Sequence, residues 1–82
     1  MALTFIWDES KNADNIKKHG LSFEQAIKIF SSDFVLEYDH EHSTISEDRY
    51  KSKGFVDNYG YILVVHCEPF DNVYRIISAR KI

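Results

Sequence analysis

The chain lacks the features that place a protein in a membrane or outside a reducing cell interior. Cys67 is its only cysteine, which excludes an internal disulfide and favours a reducing compartment. No apolar run approaches the roughly 20 residues that span a bilayer, and the amino terminus has no basic start followed by an apolar core. Repeats, low-complexity stretches and linkers are also missing. We therefore expect a cytoplasmic protein with a single domain over residues 1–82 and no membrane contact.

An excess of positive charge is missing as well. The formal net charge of −3 argues against a protein that coats nucleic acid indiscriminately. The charges are nevertheless unevenly distributed. The segment from Ser31 to Asp48 carries six acidic residues and no basic one, whereas six basic residues face three acidic ones from Arg49 to the end. A basic carboxyl-terminal half can hold a phosphate although the whole molecule is acidic.

The amino-terminal part predicts a short strand and two helices. Leu3–Ile6 is the strand. Asp8 can cap a first helix, and Gly20 supplies the left-handed residue that ends it. Ser22 is a second cap with Gln25 at the capping-box position, and apolar residues follow at helical spacing.

The remainder predicts strands, because the apolar period shifts towards two. We expect an acidic loop at Asp39–Glu47 and turns at Asp57–Gly60 and Pro69–Asn72. The predicted strands are Phe34–Tyr38, Arg49–Val56, Tyr61–Glu68 and Val73–Arg80. The fold class is therefore α+β, with two N-terminal helices packed on a four- to five-stranded, mainly antiparallel sheet.

Three stretches look like signatures of one family. The pattern W-D-x-x-K-x-x-x-N-x-x-K-H-G-x-x-F-x-x-A runs without a gap from Trp7 to Ala26. Glu47-Asp48-Arg49 precedes Gly54, and R-I-I-S-A-R runs from Arg75 to Arg80. Together they cover nearly the whole chain, and in them the sequence resembles the BrnT family of bacterial toxins.

The resemblance implies a fold similar to RelE ribonucleases and the activity of an endoribonuclease toxin of a type II toxin–antitoxin system. Such a toxin cuts RNA without a metal or another cofactor and inhibits translation. The implied partners are the RNA substrate and a BrnA-like ribbon-helix-helix antitoxin, through which alone operator DNA is bound. A homodimer, or a heterotetramer with the antitoxin, is the assembly that the family suggests.

Basic residues of the carboxyl-terminal half are the candidates for holding phosphate. Arg49, Lys51 and Lys53 have equal parity, so they project from one face of an extended strand. Arg75 and Arg80 differ in parity, so both reach that face only if the last strand ends or bulges between them. By the resemblance, Arg49, Arg75 and Arg80 are the expected catalytic residues. They would stabilise the charge that develops as the ribose 2′-OH attacks the adjacent phosphate.

Other basic residues are expected to bind RNA, namely Lys11, Lys18, His19, Lys51 and Lys53. His19 is also the candidate acid or base, because imidazole titrates closest to neutrality. Each has a plainer alternative. Arg49 and the strand lysines can form a solvated face opposite Glu37 and its acidic loop. His19 can cap the end of its helix, and the helix lysines can dock on the sheet and the acidic segment. The sequence leaves these alternatives open.

Two further groups are interpreted as structural. Asp39-His40-Glu41-His42 contains ordinary metal ligands, but no Cys or His pair elsewhere has matching spacing, so no metal site is predicted. Cys67 follows His66 directly, and on a strand their side chains point to opposite faces. Cys67 is therefore predicted to be a small buried residue, not a nucleophile.

The carboxyl-terminal end supports a second functional hypothesis. Members of the family usually continue past the S-A-R-K stretch with a short helix, which this domain is expected to lack. If that helix closes the active site, its loss makes catalysis doubtful. The chain would then be a non-catalytic module with the toxin fold that binds the antitoxin and co-represses its operon.

Overall fold

Within residues 2–82, which the computed structural model describes, five strands form one mixed sheet. The strands are β1 (Thr4–Ile6), β2 (Phe34–Tyr38), β3 (Arg49–Val56), β4 (Gly60–Phe70) and β5 (Val73–Lys81). The helices are α1 (Glu9–His19) and α2 (Phe23–Ala26), and a 3₁₀ helix (Ile27–Ser31) follows α2. The sheet order is β1-β5-β4-β3-β2, with β1 parallel to β5 and the other neighbours antiparallel. This confirms the predicted α+β class and the mainly antiparallel sheet.

The predicted capping residues set the helix boundaries. The Asp8 carboxylate accepts a hydrogen bond from the backbone N–H of Ser10 at 2.8 Å, and Gly20 ends α1 with a left-handed φ of 67°. Ser22 and Gln25 complete the capping box at the start of α2. The second predicted helix tightens into the 3₁₀ helix after four residues. None of the helices within residues 2–82 is long and apolar enough to cross a bilayer.

The β4 strand is longer than predicted. The sequence pattern ends this strand at Glu68 and assigns Pro69 to a turn, whereas the strand continues to Phe70. The pairing of β4 with β5 shifts register between Cys67 and Phe70. Because proline has no N–H for the ladder, it is tolerated at such an irregularity. The turn before β5 is correspondingly shorter.

The hydrophobic core joins side chains of the helical segments to side chains of the sheet. Its fully or nearly fully buried members include Leu21, Phe23, Ala26, Ile29, Ile62, Val64, Ile76 and Ala79. Gly54 of β3 lies directly against Ile29. A Cβ added at Gly54 would meet the Cβ of Ile29 at 2.8 Å, so only glycine permits this close approach.

The alternate residues of the central strands form the other face of the sheet. On β3 the buried positions include Ser52, Gly54 and Val56, so the odd-numbered residues point to the opposite side. We call that side the open face. It comprises Arg49, Lys51 and Lys53 of β3, Leu63, Val65 and Cys67 of β4, and Arg75, Ser78 and Arg80 of β5.

An asparagine of α1 closes the edge of β5. The β1 strand pairs only with Val73–Arg75, so it does not reach Ala79. Asn15, 5% exposed, donates to the carbonyl of Ala79 at 2.8 Å and accepts from its N–H at 3.1 Å. It also donates to the carbonyl of Leu21 at 2.9 Å. One side chain thus takes the place of a neighbouring strand and fixes α1 along β5.

Asn15→Ala is expected to lower the free energy of unfolding by about 3 kcal/mol. The truncation leaves the buried N–H and C=O of Ala79 without partners, and each such loss costs about 1–3 kcal/mol. Asp14→Ala, at the exposed neighbouring position of the same helix, is the control and should change stability by less than about 0.5 kcal/mol. Urea unfolding followed by circular dichroism measures both variants. Equal effects would contradict the role of Asn15 at the strand edge.

A histidine is buried in the core beside a serine. His66 has no exposed surface, and its Nε2 lies 2.8 Å from the Oγ of Ser52. Its ring stacks on Tyr74 with 4.3 Å between the ring centroids. Burial lowers the pKa of His66 to about 4. The imidazole is therefore neutral in the folded protein near pH 7.

Folding stability should fall as the pH drops from about 6.5 towards 4. In that window the unfolded chain binds a proton at His66 and the folded protein does not, so acid favours unfolding. The loss attributable to this group between pH 7.5 and pH 5 should be about 2 kcal/mol. His66→Gln removes the titrating ring and keeps a hydrogen-bonding group for Ser52. Urea unfolding at both pH values should show a smaller loss for the variant, and parallel losses would rule His66 out as the titrating group.

Candidate active site on the open face

Cationic side chains lie on both sides of an apolar column on the open face. The β4 side chains form the column, and the register places Cys67 between Arg49 of β3 and Arg75 of β5. Because neighbouring strands are about 4.8 Å apart, the backbones at these two arginines are about 10 Å apart. Further along β4, Leu63 lies beside Arg80 of β5.

The β5 strand contains the bulge that the parity of its arginines requires. Val65 pairs with Ser78 and His66 with Ile76, so Ile77 has no partner across the ladder. The extra residue resets the alternation of side chains along β5. Both arginines of β5 therefore project from the open face, together with the arginine of β3, and these are all the arginines of the chain.

A concavity of about 420 Å³ lies on the open face, where the loop after β2 approaches the strands. Leu63 and Val65 contribute apolar surface to it. Its charged and titratable lining consists of His19, Asp39, Glu41, His42, Arg49, Lys51 and Arg80. We call it the cationic concavity. Guanidinium groups from both β3 and β5 thus line the same concavity, and each presents a planar fork of donors that suits phosphate oxygens.

Not all predicted site residues line the cationic concavity. Lys53 lines an adjoining hollow of about 470 Å³, to which Arg80 also contributes. Arg75 lines a separate hollow with Lys11, beside the end of β1. Lys18 is exposed on α1. The three arginines expected to act together thus share a face of the sheet, but Arg75 lies outside the concavity of the other two.

Each cation of β3 has a carboxylate partner. The pairs are Arg49–Glu47 at 3.0 Å, Lys51–Asp39 at 3.8 Å and Lys53–Glu37 at 4.0 Å. The Lys53–Glu37 pair is exposed on both sides and agrees with the alternative of a solvated strand face, and such pairs contribute little to stability. The Asp39 carboxylate that pairs with Lys51 is buried. Within the described part of the chain, residues 2–82, the Arg49 side chain donates through its Nε alone, which leaves both Nη groups for a ligand. Within residues 2–82, Arg75 and Arg80 form no ion pair.

Three polar residues spaced three or four apart on α1, namely Lys11, Asn15 and Lys18, divide into a structural and an exposed part. Asn15 is buried against β5, whereas Lys11 and Lys18 are exposed. His19 lies in the last turn of α1, where a cation interacts favourably with the helix end, and it also lines the cationic concavity. The position of His19 therefore suits both the capping role and a role at the site.

The sequence interpretation missed an oriented histidine. His42 Nδ1 lies 2.9 Å from Oδ2 of Asp39, whose side chain is 1% exposed, while that of His42 is 58% exposed. The D-x-x-H spacing was the available signal, because an aspartate can bind the backbone N–H three residues on, as Asp39 does here. No group of three or more His, Cys, Asp or Glu side chains within the described residues 2–82 is placed to hold a metal.

The cysteine has the buried position that was predicted. Cys67 is 2% exposed, and burial together with the neighbouring Glu47 raises the pKa of its thiol. A thiol held in its protonated form is a poor nucleophile. The open face thus offers cations and imidazoles for chemistry.

Comparison with known proteins identifies a family. A family model of BrnT, a ribonuclease toxin of type II toxin–antitoxin systems, matches residues 7–82. The structure is similar to the crystal structure of the Brucella abortus ribonuclease toxin BrnT, with a TM-score of 0.73 and 27% sequence identity over 99% of this chain and 97% of that chain. No curated protein matches the sequence.

Proposed function

This chain belongs to the BrnT family of ribonuclease toxins of type II toxin–antitoxin systems, and we propose that it is an endoribonuclease that cuts RNA on its open face. The proposal rests on the cationic concavity. Arg49 of β3 and Arg80 of β5 lie on strands separated by β4, yet both line it together with His19. A cleft that gathers cations from non-adjacent strands suits a phosphodiester, whose charge grows as it is attacked.

The proposed reaction is attack of a ribose 2′-OH on the adjacent phosphate. Its transition state places extra negative charge on the phosphoryl oxygens, which Arg80 and the free Nη groups of Arg49 can stabilise. The apolar surface of Leu63 and Val65 lowers the local dielectric and strengthens these interactions. Since the arginines supply the positive charge, we propose that cleavage proceeds without a metal or another cofactor.

The remaining cations would bind the RNA chain on either side of the cut. Lys51 lies within the concavity and Lys53 in the adjoining hollow, so they extend the positive surface along β3. Arg75 and Lys11 form a second cationic position towards β1. We propose that these two positions hold neighbouring phosphates of the same strand, with Arg75 contributing more to binding than to the chemical step.

A type II toxin has an antitoxin as its partner. We propose that this partner is a BrnA-like ribbon-helix-helix protein that neutralises the toxin in the cytoplasm. Operator DNA would be bound only through the antitoxin, and the complex would be a heterotetramer, with a toxin homodimer as the alternative assembly. By the same family relation, we propose that the fold is related to that of RelE ribonucleases and that cleavage inhibits translation.

A second candidate function is a non-catalytic module that only binds the antitoxin. Two observations favour it. All three cations of β3 are already paired with carboxylates, and exposed apolar side chains extend the open face beyond the cations. These side chains are Val35, Phe55 and Tyr61, which are 60%, 49% and 64% exposed. RNA that stays intact with wild-type protein, while an antitoxin is still bound, would favour this module.

Arg80→Ala is expected to slow RNA cleavage by about 100-fold or more, because loss of one donor to a transition-state oxyanion costs about 2.7–4 kcal/mol. Arg49→Ala should have an effect of similar size. Arg75→Ala should mainly weaken RNA binding, because Arg75 lies in a separate hollow. Cleavage of a fluorescent RNA in the presence of EDTA measures the rates, and growth after induction in cells measures toxicity.

Lys28→Ala is the control for loss of a positive charge. Lys28 belongs to the 3₁₀ helix and lines a hollow beside Asp33 and Asp57, away from the cationic concavity. The Lys28→Ala variant should cleave RNA at the wild-type rate. Equal activity of Arg80→Ala, Arg49→Ala and Lys28→Ala would refute the proposed site.

A further inference from the structure

We propose that His42 is the catalytic base of the cationic concavity, which takes the proton from the ribose 2′-hydroxyl, and that Asp39 is its positioning residue. The assignment rests on the proposed ribonuclease function and adds a proton acceptor to it. The sequence pattern points to His19 for this role. The geometry of the loop after β2 favours His42 instead.

The carboxylate of Asp39 is held from several sides. Its Oδ2 lies 2.9 Å from Nδ1 of His42, and its Oδ1 lies 3.4 Å from the backbone N of His42 and 3.8 Å from Nζ of Lys51. Its own backbone N–H donates to the carbonyl of Arg49 at 2.8 Å. This last bond ties the start of the loop to β3.

The charge of Asp39 fixes the proton position on the imidazole. Burial alone would raise the pKa of Asp39, but hydrogen bonds from His42 and the positive charge of Lys51 outweigh burial and leave this pKa below its ordinary value. An ionised carboxylate only accepts, so Nδ1 of His42 must carry the proton that the pair shares. The neutral ring then presents a free lone pair on Nε2, which is the form that a general base needs.

The exposed part of His42 lies in the cavity that contains the phosphate-binding groups. His42 lines the cationic concavity together with Arg49 and Arg80. A pair with one buried and one solvent-facing member resembles an active-site dyad more than a surface ion pair, in which both groups are solvated. The concavity thus combines an oriented base with the cations that bind the group it would act on.

His19 lines the same concavity without comparable support. Within residues 2–82 its ring has no hydrogen-bond partner that selects a tautomer, and its position at the end of α1 is explained by the helix terminus. His42 has such a partner at 2.9 Å. Of the two imidazoles in the concavity, only His42 is therefore oriented by a buried carboxylate.

The proposed step balances as follows. Nε2 of His42 takes the proton of the 2′-hydroxyl while the 2′-oxygen forms a bond to phosphorus. The bond from phosphorus to the 5′-oxygen breaks, and the leaving oxygen keeps the electron pair and takes a proton from water. The products are a 2′,3′-cyclic phosphate and a 5′-hydroxyl, and the imidazolium returns its proton to solvent.

Several groups face His42 and share its electrostatic environment. They are His19 from α1, Asp39 and Glu41 from its own loop, Arg49 and Lys51 from β3, and Arg80 from β5. A base must be deprotonated to act, so kcat/KM should rise with pH on the acidic side of the profile. His19 is the other imidazole that lines the concavity, so its variant must be measured alongside that of His42.

The test compares single-histidine variants of the full chain. His42→Gln should slow cleavage of a fluorescent mixed-sequence RNA by about 100-fold or more and abolish the rise with pH. Its affinity for the same RNA with 2′-deoxy sugars, measured by fluorescence anisotropy, should stay within about threefold, because a base contributes little to phosphate binding. Asp39→Asn should slow cleavage and alter the pH profile.

His40→Gln is the matched control. His40 lies two residues from His42 in the same loop, packs on Tyr38 with 4.6 Å between the ring centroids, and lies outside the cationic concavity. The His40→Gln variant should cleave RNA at the wild-type rate, and thermal unfolding should show that His40→Gln and His42→Gln are both folded. If His42→Gln cleaves RNA as fast as His40→Gln, the assignment of His42 as the base is overturned, and the proposed ribonuclease function is not.

Two other outcomes have distinct meanings. Loss of the rise with pH in His19→Gln, and not in His42→Gln, would make His19 the base and would also overturn the assignment. If the wild-type protein cleaves no RNA, the ribonuclease function itself fails and takes the assignment with it. Cleavage lost in His42→Gln with binding retained is the result that supports the dyad.

Discussion

The bulge at Ile77 is the constraint on which the cationic surface depends. Side chains of a regular strand alternate between faces, so five residues of separation would send Arg75 and Arg80 to opposite sides of the sheet. One residue without a partner in the ladder reverses the alternation. Arg80 then projects beside Leu63, on the same side as the cations of β3. Without the bulge, one of the two arginines would point into the apolar core.

Buried polar side chains hold the borders of this surface in place. Asn15 fixes α1 along β5, and with it the helix end that bears His19. Asn12 accepts from the backbone N–H of Phe23 at 2.9 Å and so joins the two helices. Asp39 anchors the loop after β2 through its backbone N–H, which donates to the carbonyl of Arg49, and through its buried carboxylate, which contacts His42 and Lys51. A domain of this size has a small apolar core. The buried hydrogen bonds therefore help to give these segments one defined position.

Local signals made most of the fold predictable from the sequence, and tertiary contacts determine the rest. The caps at Asp8, Gly20 and Ser22 act within a few residues, so the helix limits follow from them. The parallel pairing of β1 and the extension of β4 through Pro69 depend on the neighbouring β5, which no short sequence window contains. For the site, the odd spacing of Arg75 and Arg80 indicated that the last strand must end or bulge between them if both are to reach one face. The spacing did not show whether such a bulge exists. The role of Asn15 was equally hidden, because its partner Ala79 is distant in sequence.

The carboxylates that neutralise the β3 cations affect how any polyanion would bind. Most basic surfaces attract nucleic acid largely by releasing condensed counterions, so their affinity falls steeply as salt is added. Here Glu47, Asp39 and Glu37 already occupy the counterion positions of the β3 cations. An incoming phosphate exchanges one anion for another, and fewer mobile ions are freed. The affinity for a polyanion should therefore vary less with ionic strength than the number of basic residues suggests. The same carboxylates weaken non-specific binding of unrelated nucleic acid.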